Sequence, residues 1–387
     1  MLPPHLPPPP RGRTILLALG KAAATMAELV EAQWRGPLSG LAVGRHGDTP
    51  TLRRAAFTTA AHPVPDAASV AAAARSMALA GEAGADDLVL VLLSGGASSL
   101  ACLPSEGMTL AHKQALVRAL LRSGAPIGEI NCVRRHMSRI KGGRLGAAAQ
   151  PARLVTLAIS DVVGDRPHDI GSGPTAADPT GCDEARSILT KHGLPHPPAL
   201  AESVKPAEAA AWNAEYRVIG RGRDAVDAAA AEAARYGYRP QVIGHDCIGE
   251  ARELAAAHAK IVREAIAAGE RVALVSGGEA TVTVTGAGAG GPNREYALAL
   301  AIALDGLPGV SGLAADSDGI DGSGDAAGAF FDPDTLRRAR ALGLDASAML
   351  RANDSSGFFA ALGDGFVSGP TGTNVNDLRL ILVDRTV

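Results

Sequence analysis

Short apolar runs that end in glycine, serine or aspartate, each followed by an alanine-rich stretch of helical period, recur along this chain and restrict it to an α/β architecture built on parallel units. The runs are Thr14–Leu19, Leu88–Leu93, Leu154–Ile159, Arg217–Ile219, Arg239–Ile243, Arg271–Val275, Val310–Ala314 and Leu378–Val383. Helical spacing fills much of the chain between them, as in Asp224–Tyr236 and Ala251–Ala267. The alternation Thr281-Val282-Thr283-Val284-Thr285 predicts a half-exposed strand, so the C-terminal sheet is expected to be mixed. At ~150 residues per domain, 387 residues argue two domains. The change of loop style at Gly244–Glu250 predicts a division into 1–245 and 246–387. A proline-rich break at Leu194–Pro206 reads as an internal connection.

Composition removes several function classes. Hydrophobic residues are 47% of the chain, enough for large cores, and a net charge of -3 gives no bulk reason to seek nucleic acid or an anionic membrane. With aromatics at 3%, a base-stacking surface is not expected either. Cys102, Cys132, Cys182 and Cys247 form no C-x-x-C pair, which argues against a zinc cluster or a disulfide framework and for a reducing compartment. The prolines within Met1–Arg13 are incompatible with a signal-peptide core, and no apolar run reaches the ~20 residues of a membrane span, so the expectation is a cytoplasmic protein. A homodimer is left open.

Open α/β sheets bind ligands at the carboxyl ends of their strands, so the residues that follow each run carry the chemistry. Gly20-Lys21 precedes a helix, where a cation opposes the helix dipole unless an anion joins them; a solvated lysine is the alternative. Ser94-Gly95-Gly96-Ala97-Ser98-Ser99 can form a backbone nest for an anion, or a plain tight turn. An echo, Ser276-Gly277-Gly278, closes a later run. Arg134, Ser138 and Lys141 are spaced to share one helical face as a carboxylate or phosphate clamp. Asp161 and Asp165, and Asp318 and Asp321, follow strands and suit magnesium or general-base work, with caps and turns as the alternative. The Asp316–Gly322 loop imitates an EF-hand, but Ala327 stands where the closing glutamate belongs, so calcium is not expected. Gly220-Arg221-Gly222 and Gly286, Gly288 and Gly291 echo dinucleotide-binding patterns.

Taken in order, Gly20-Lys21-Ala22-Ala23, His62-Pro63-Val64-Pro65-Asp66, Ser94-Gly95-Gly96, Asn131 to Arg144, Ser160 to Asp165 and Gly171 to Thr175 resemble the class II glycerate kinases, often labelled hydroxypyruvate reductases. Ser276 to Glu279, Asp318 to Gly322, Asn353-Asp354 and Gly369 to Asp377 extend the resemblance through the C-terminal part. It implies a larger Rossmann-like, three-layer N-terminal domain, a smaller mixed-sheet C-terminal domain of the MOFRL type, and an active site in the cleft between them. It also implies phosphorylation of D-glycerate at the 2-hydroxyl with ATP and Mg2+, and Lys21 matches the family's catalytic lysine.

On that resemblance, Ser94, Gly95, Gly96, Ser98 and Arg134 are expected to hold substrate, and Asp161 to orient or deprotonate its hydroxyl. Ser276, Gly277, Gly278, Glu279, Thr371, Thr373 and Asn374 are expected to serve the nucleotide, and Asp318 and Asp321 the metal. The chain departs from the family in its proline-rich start, in Ala97 where the family has glycine, and in Pro292 where the family has an arginine. Two other readings stay open at this stage: a nicotinamide-dependent hydroxypyruvate reductase, and a catalytically weakened ligand-binding member of the fold.

Overall fold

The structure, a computed structural model, describes residues 2–385. Contacts divide the chain into two compact units, Met1–Gly220 and Arg221–Val387.

The first unit holds six strands, β1 (Thr14–Leu19), β2 (Leu38–Arg45), β3 (Ala55–Ala60), β4 (Leu88–Leu93), β5 (Arg153–Ile159) and β6 (Ala214–Gly220), in the order β3-β2-β1-β4-β5-β6. Every pairing is parallel. β1 and β4 are buried along their whole length, which is why both read as unbroken apolar runs. The helices are α1 (Ala23–Gln33), α2 (Ala67–Gly81), α3 (Ala97–Leu100), α4 (Leu110–Arg122), α5 (Ile127–His136), α6 (Arg144–Ala148), α7 (Cys182–Lys191) and α8 (Pro206–Ala209). From β1 the chain moves outward through α1 to β2, and from β3 it returns through α2 to β4. Right-handed crossovers in opposite directions place α1 and α2 on opposite faces, giving three layers. The reversal of strand order falls between β1 and β4, where an open α/β sheet forms its ligand crevice.

The second unit opens with α9 (Gly222–Arg235) and β7 (Arg239–Gly244). Its six-stranded sheet has the order β13-β12-β11-β14-β9-β7, with β9 (Val272–Gly278), β11 (Val310–Asp316), β12 (Gly328–Phe331), β13 (Gly365–Phe366) and β14 (Asp377–Val383). Only β7 and β9 pair in parallel within it, so the sheet is mixed as expected. Two-residue strands β8 (Gly249–Glu250) and β10 (Ala280–Thr281) form a separate parallel ribbon. Helices α10 (Ala251–Ala267) and α11 (Pro292–Leu304) form the core with the sheet, followed by α12 (Thr335–Ala341), α13 (Ala346–Arg351) and α14 (Ser355–Leu362).

The structure departs from the sequence reading in three places. The compact units part at Gly220, ahead of the expected 245/246 division, because β7 pairs with β9 and α9 packs on both of those strands. Thr281–Thr285 is not a strand beyond Thr281. The backbone N–H of Thr283 is taken by the Glu250 carboxylate at 3.1 Å and that of Thr285 by Asn353 Oδ1 at 2.9 Å, so side chains replace a strand partner. The half-buried alternation belongs instead to β14, whose Asp377, Arg379, Ile381 and Val383 are buried. Finally, α5 ends at His136, so Ser138 and Lys141 leave the helix that was to carry them on Arg134's face.

Candidate active site

In the first unit the Ser94–Ser99 loop leaves β4 at the switch point and meets Gly20-Lys21, which leaves β1. Lys21 N–H donates to Gly95 O at 2.8 Å and Ala22 N–H to Ser94 Oγ at 3.0 Å, tying the two turns together. Lys21 lies just before α1, whose first residue is Ala23 and whose N-cap is Ala22, so it is held by this turn. Gly96 adopts φ +83°, and a Cβ there would come within 2.9 Å of His62 Cδ2 and 3.3 Å of Lys21 Cγ. Only glycine allows that close gathering of His62, Lys21 and the loop. Ala97 has the first helical position of α3, after the left-handed turn is complete, so the loss of the family's third glycine leaves the turn intact. Among the described residues the N–H groups of Gly95, Gly96 and Ser98 have no protein acceptor.

Although Lys141 is off the helix, it still meets Arg134 at Ser98. An Arg134 guanidinium N–H donates to Ser98 Oγ, Lys141 Nζ donates to Ser98 O at 2.7 Å, and Ser98 Oγ lies 3.0 Å from Ser172 Oγ. Lys141 is 1% exposed, and burial pulls its ammonium well below the ordinary lysine range. Left-handed Gly142 and Gly143 let the chain turn back beneath it. Asp161 follows β5, the neighbour of β4, and so stands at the same edge of the sheet.

In the second unit the ends of β9 and β11 and the start of β14 share one edge, since Asp377 is in register with Gly278 on one side and Asp316 on the other. The expected nucleotide loops lie here. Ser276 Oγ and Thr373 Oγ1 are buried atoms with no hydrogen-bond partner. The loop before β14 is stitched to the one after β11 by Thr371 N–H to Asp318 O at 3.2 Å and Val375 N–H to Ser317 Oγ at 2.7 Å. Asn374 Oδ1 accepts from Asn376 N–H at 3.0 Å, while Glu279 is exposed beside Gly278.

The metal assignment divides. Asp321 is 1% exposed and accepts from Asn293 N–H and Arg294 N–H at 2.9 Å each and from Arg294 Nε at 3.1 Å. It neutralises the start of α11 and pairs a buried guanidinium, so both of its oxygens already meet donors where the sequence suggested a metal ligand. Asp318 lies beside Asp316, whose Oδ1 accepts from Asp318 N–H at 2.8 Å. Burial and the nearby carboxylates of Asp318 and Asp377 push the Asp316 carboxyl up to about 7. Crowded, partly desolvated carboxylates of this kind fit a hard divalent cation. Asp316 belongs to the Asp316–Gly322 loop, but its spacing alone does not single it out from the other aspartates there.

Pro292 occupies the first position of α11 behind the Gly291 N-cap, where a missing N–H costs nothing. Arg294 cannot substitute for the family arginine. Its guanidinium is buried against Asp321, Ser323 O and Ser356.

The dinucleotide patterns lose their chemistry. Arg221 N–H at the start of α9 is taken by Asp224 Oδ2 at 2.9 Å, placing a carboxylate where a pyrophosphate would sit. Gly288 N–H bonds to Ala352 O at 2.9 Å, so the second glycine set packs against the turn after α13.

Residues 5–205 match the domain of unknown function DUF4147, and residues 272–377 match the MOFRL family. The chain belongs to the glycerate 2-kinase family. The D-glycerate 2-kinase of Thermotoga maritima is 39% identical, covering 96% of this chain and 91% of its own. A putative hydroxypyruvate reductase of Agrobacterium vitis is 46% identical over 98% of this chain and 89% of its own. The crystal structure of glycerate kinase from Thermotoga maritima superimposes with a TM-score of 0.88 over 96% of this chain and 91% of that one.

Proposed function

We propose that this member of the glycerate 2-kinase family transfers the γ-phosphoryl group of ATP to the 2-hydroxyl of D-glycerate, giving 2-phosphoglycerate. The observation that carries the reading is the gathering of Lys21, His62, Arg134, Lys141 and the Ser94–Ser98 loop at the β1/β4 switch point, on a chain homologous to glycerate kinases along its length. Phosphoryl transfer asks the protein mainly for in-line positioning and for charge opposite the transferred group. Arg134 and Ser98 hold the substrate carboxylate, and the N–H groups of Gly95 and Gly96 a phosphate oxygen. Lys21 neutralises charge developing on the phosphoryl oxygens, and Asp161 accepts the proton of the 2-hydroxyl as it attacks. The Ser276–Glu279 turn with Thr371, Thr373 and Asn374 receives the nucleotide, where the partnerless Ser276 and Thr373 hydroxyls can meet its polar groups. Asp318 and Asp316 would hold magnesium, which supplies charge neutralisation between the phosphates when bound.

The test is a pair of assays on the purified protein. ADP release with D-glycerate and Mg-ATP supports the reading. Nicotinamide oxidation with hydroxypyruvate, and no ADP release, would replace it with the reductase reading; activity in neither assay would leave a binding member. Asp318→Asn should raise the magnesium concentration for half-maximal rate about tenfold, because a neutral amide is a poorer ligand for a hard cation. An unchanged magnesium titration would move the metal elsewhere.

A further inference from the structure

Beside the Ser98 turn lies a cavity of about 310 Å³ whose walls come from α4, α5, the residues after His62 and the Ser98 turn. Four of its lining residues are cations, Lys113, Arg118, Arg134 and Lys141, and none is a carboxylate. Two of them, Lys113 at 3% exposure and Lys141 at 1%, are buried. Among the described residues Lys113, Arg134 and Lys141 form no ion pair with an acid, in a chain whose acidic residues outnumber its Lys and Arg by 40 to 37.

Buried charge without a counter-charge is strongly unfavourable, and the remedy is a partner of opposite sign. Backbone carbonyls supply part of it. Lys141 spends two of its three donors on Ser98 O and Ala101 O, at 2.7 and 3.4 Å, whereas Lys113 spends one, on Met137 O at 2.7 Å. Two N–H groups of Lys113 are left for a ligand. Burial pulls its ammonium down to about 8, a state that an anion in the cavity would reverse. Val64 and Val117 also line the cavity, and this apolar part of its lining suits an organic acid better than a bare inorganic anion.

We propose that this cavity receives the carboxylate end of the acceptor and that Lys113 is a second charged recognition residue for it, alongside Arg134. This rests on the acceptor being a 2-hydroxy acid bound at the Ser98 turn.

The experiment compares wild type with Lys113→Met, which keeps the length of the side chain and removes the charge, and with Lys113→Arg. Steady-state kinetics in Mg-ATP should show KM for D-glycerate raised at least tenfold in Lys113→Met, with kcat within threefold and KM for ATP within twofold. Lys113→Arg should recover part of the loss, and at one concentration D-glycerate alone should raise the melting temperature of wild type more than that of Lys113→Met. A merely structural lysine would lower stability without this split. Val117→Phe, which narrows the cavity and touches no charge, gives a second route if Lys113→Met does not fold, and should also raise KM for D-glycerate. Wild-type phosphorylation of D-glycerate with KM unchanged in Lys113→Met, or in Val117→Phe if that variant alone folds, overturns the pocket. Wild type stabilised by D-glycerate in a Lys113-dependent way but unable to phosphorylate it keeps the pocket and overturns the kinase reading instead.

Discussion

Around the Ser94–Ser99 loop the buried charges are Lys113 and Lys141 with Arg134 beside them, whereas at the β9/β11/β14 edge of the second unit Asp318 is buried with Asp316 half-buried beside it, and Asp377 is buried against the Arg379 guanidinium. Both loci sit where strands end in glycine- and serine-rich turns, and both contain a Ser-Gly-Gly sequence. Their chemistry is opposite. A cationic pocket wants an anionic acid, and a carboxylate edge wants a cation that can accompany phosphates. The motif therefore shapes the backbone, while the side chains that arrive from other elements decide what each turn can hold.

The comparison within the acidic edge is sharpest between Asp321 and Asp318. Removing Asp321 leaves the Arg294 guanidinium buried and unpaired, so Asp321→Ala should cost about 3–5 kcal/mol of stability, read by denaturant unfolding. A folded variant of near wild-type stability with an altered magnesium requirement would return Asp321 to the metal site.

On the cationic side, Lys21→Ala should slow phosphoryl transfer by about a hundred- to a thousandfold, roughly 3–4 kcal/mol, with little change in melting temperature. Turnover above a third of wild type removes Lys21 from the mechanism.

Pro292→Arg tests whether the second unit has lost a cation that the family uses. Because Arg294 is committed to Asp321, the new guanidinium has no competitor, and catalytic efficiency toward D-glycerate should rise about tenfold, ~1.4 kcal/mol. Unchanged efficiency in the folded variant would mean that another basic residue already has the role.

A last test concerns pH. The Asp316 carboxyl keeps its proton to about pH 7 in the folded state, against 3.8 for an unperturbed aspartate. Between those values the unfolded state binds fewer protons, so without divalent ions this group makes stability fall as pH rises. Asp316→Asn removes that contribution, and the gap in melting temperature, variant minus wild type, should widen from pH 4 to pH 7. A constant gap would show that Asp316 is not crowded by its neighbours.

The buried parallel strands were legible because a strand covered on both faces leaves an unbroken apolar signature, as in Leu88–Leu93. β2 and β3 were not. Leu38–Arg45 contains Ser39, Gly40 and Gly44, and Ala55–Ala60 is alanine and threonine around one phenylalanine, so pairing with β1 and with each other makes them strands. In the same way Lys21, Arg134 and the Ser94–Ser98 loop stood out as residues after strands or in a dense basic run, while Lys113 looked like any lysine on an amphipathic helix. No local pattern signals that α4 lays it into a cavity.

The sequence by itself determined the alternating α/β plan, the glycine-bearing turns at the strand ends and the comfortable seat of Pro292, because periodicity, left-handed backbone and a missing N–H are local properties. Only the tertiary structure decided that Asp321 pairs with Arg294, that Lys113 and Lys141 are buried without carboxylates, and that the β7 segment belongs to the second unit. A side chain's charge environment is set by residues far away in the chain, Arg294 for Asp321 and Ser98 for Lys141, and their approach exists only once the sheets are ordered.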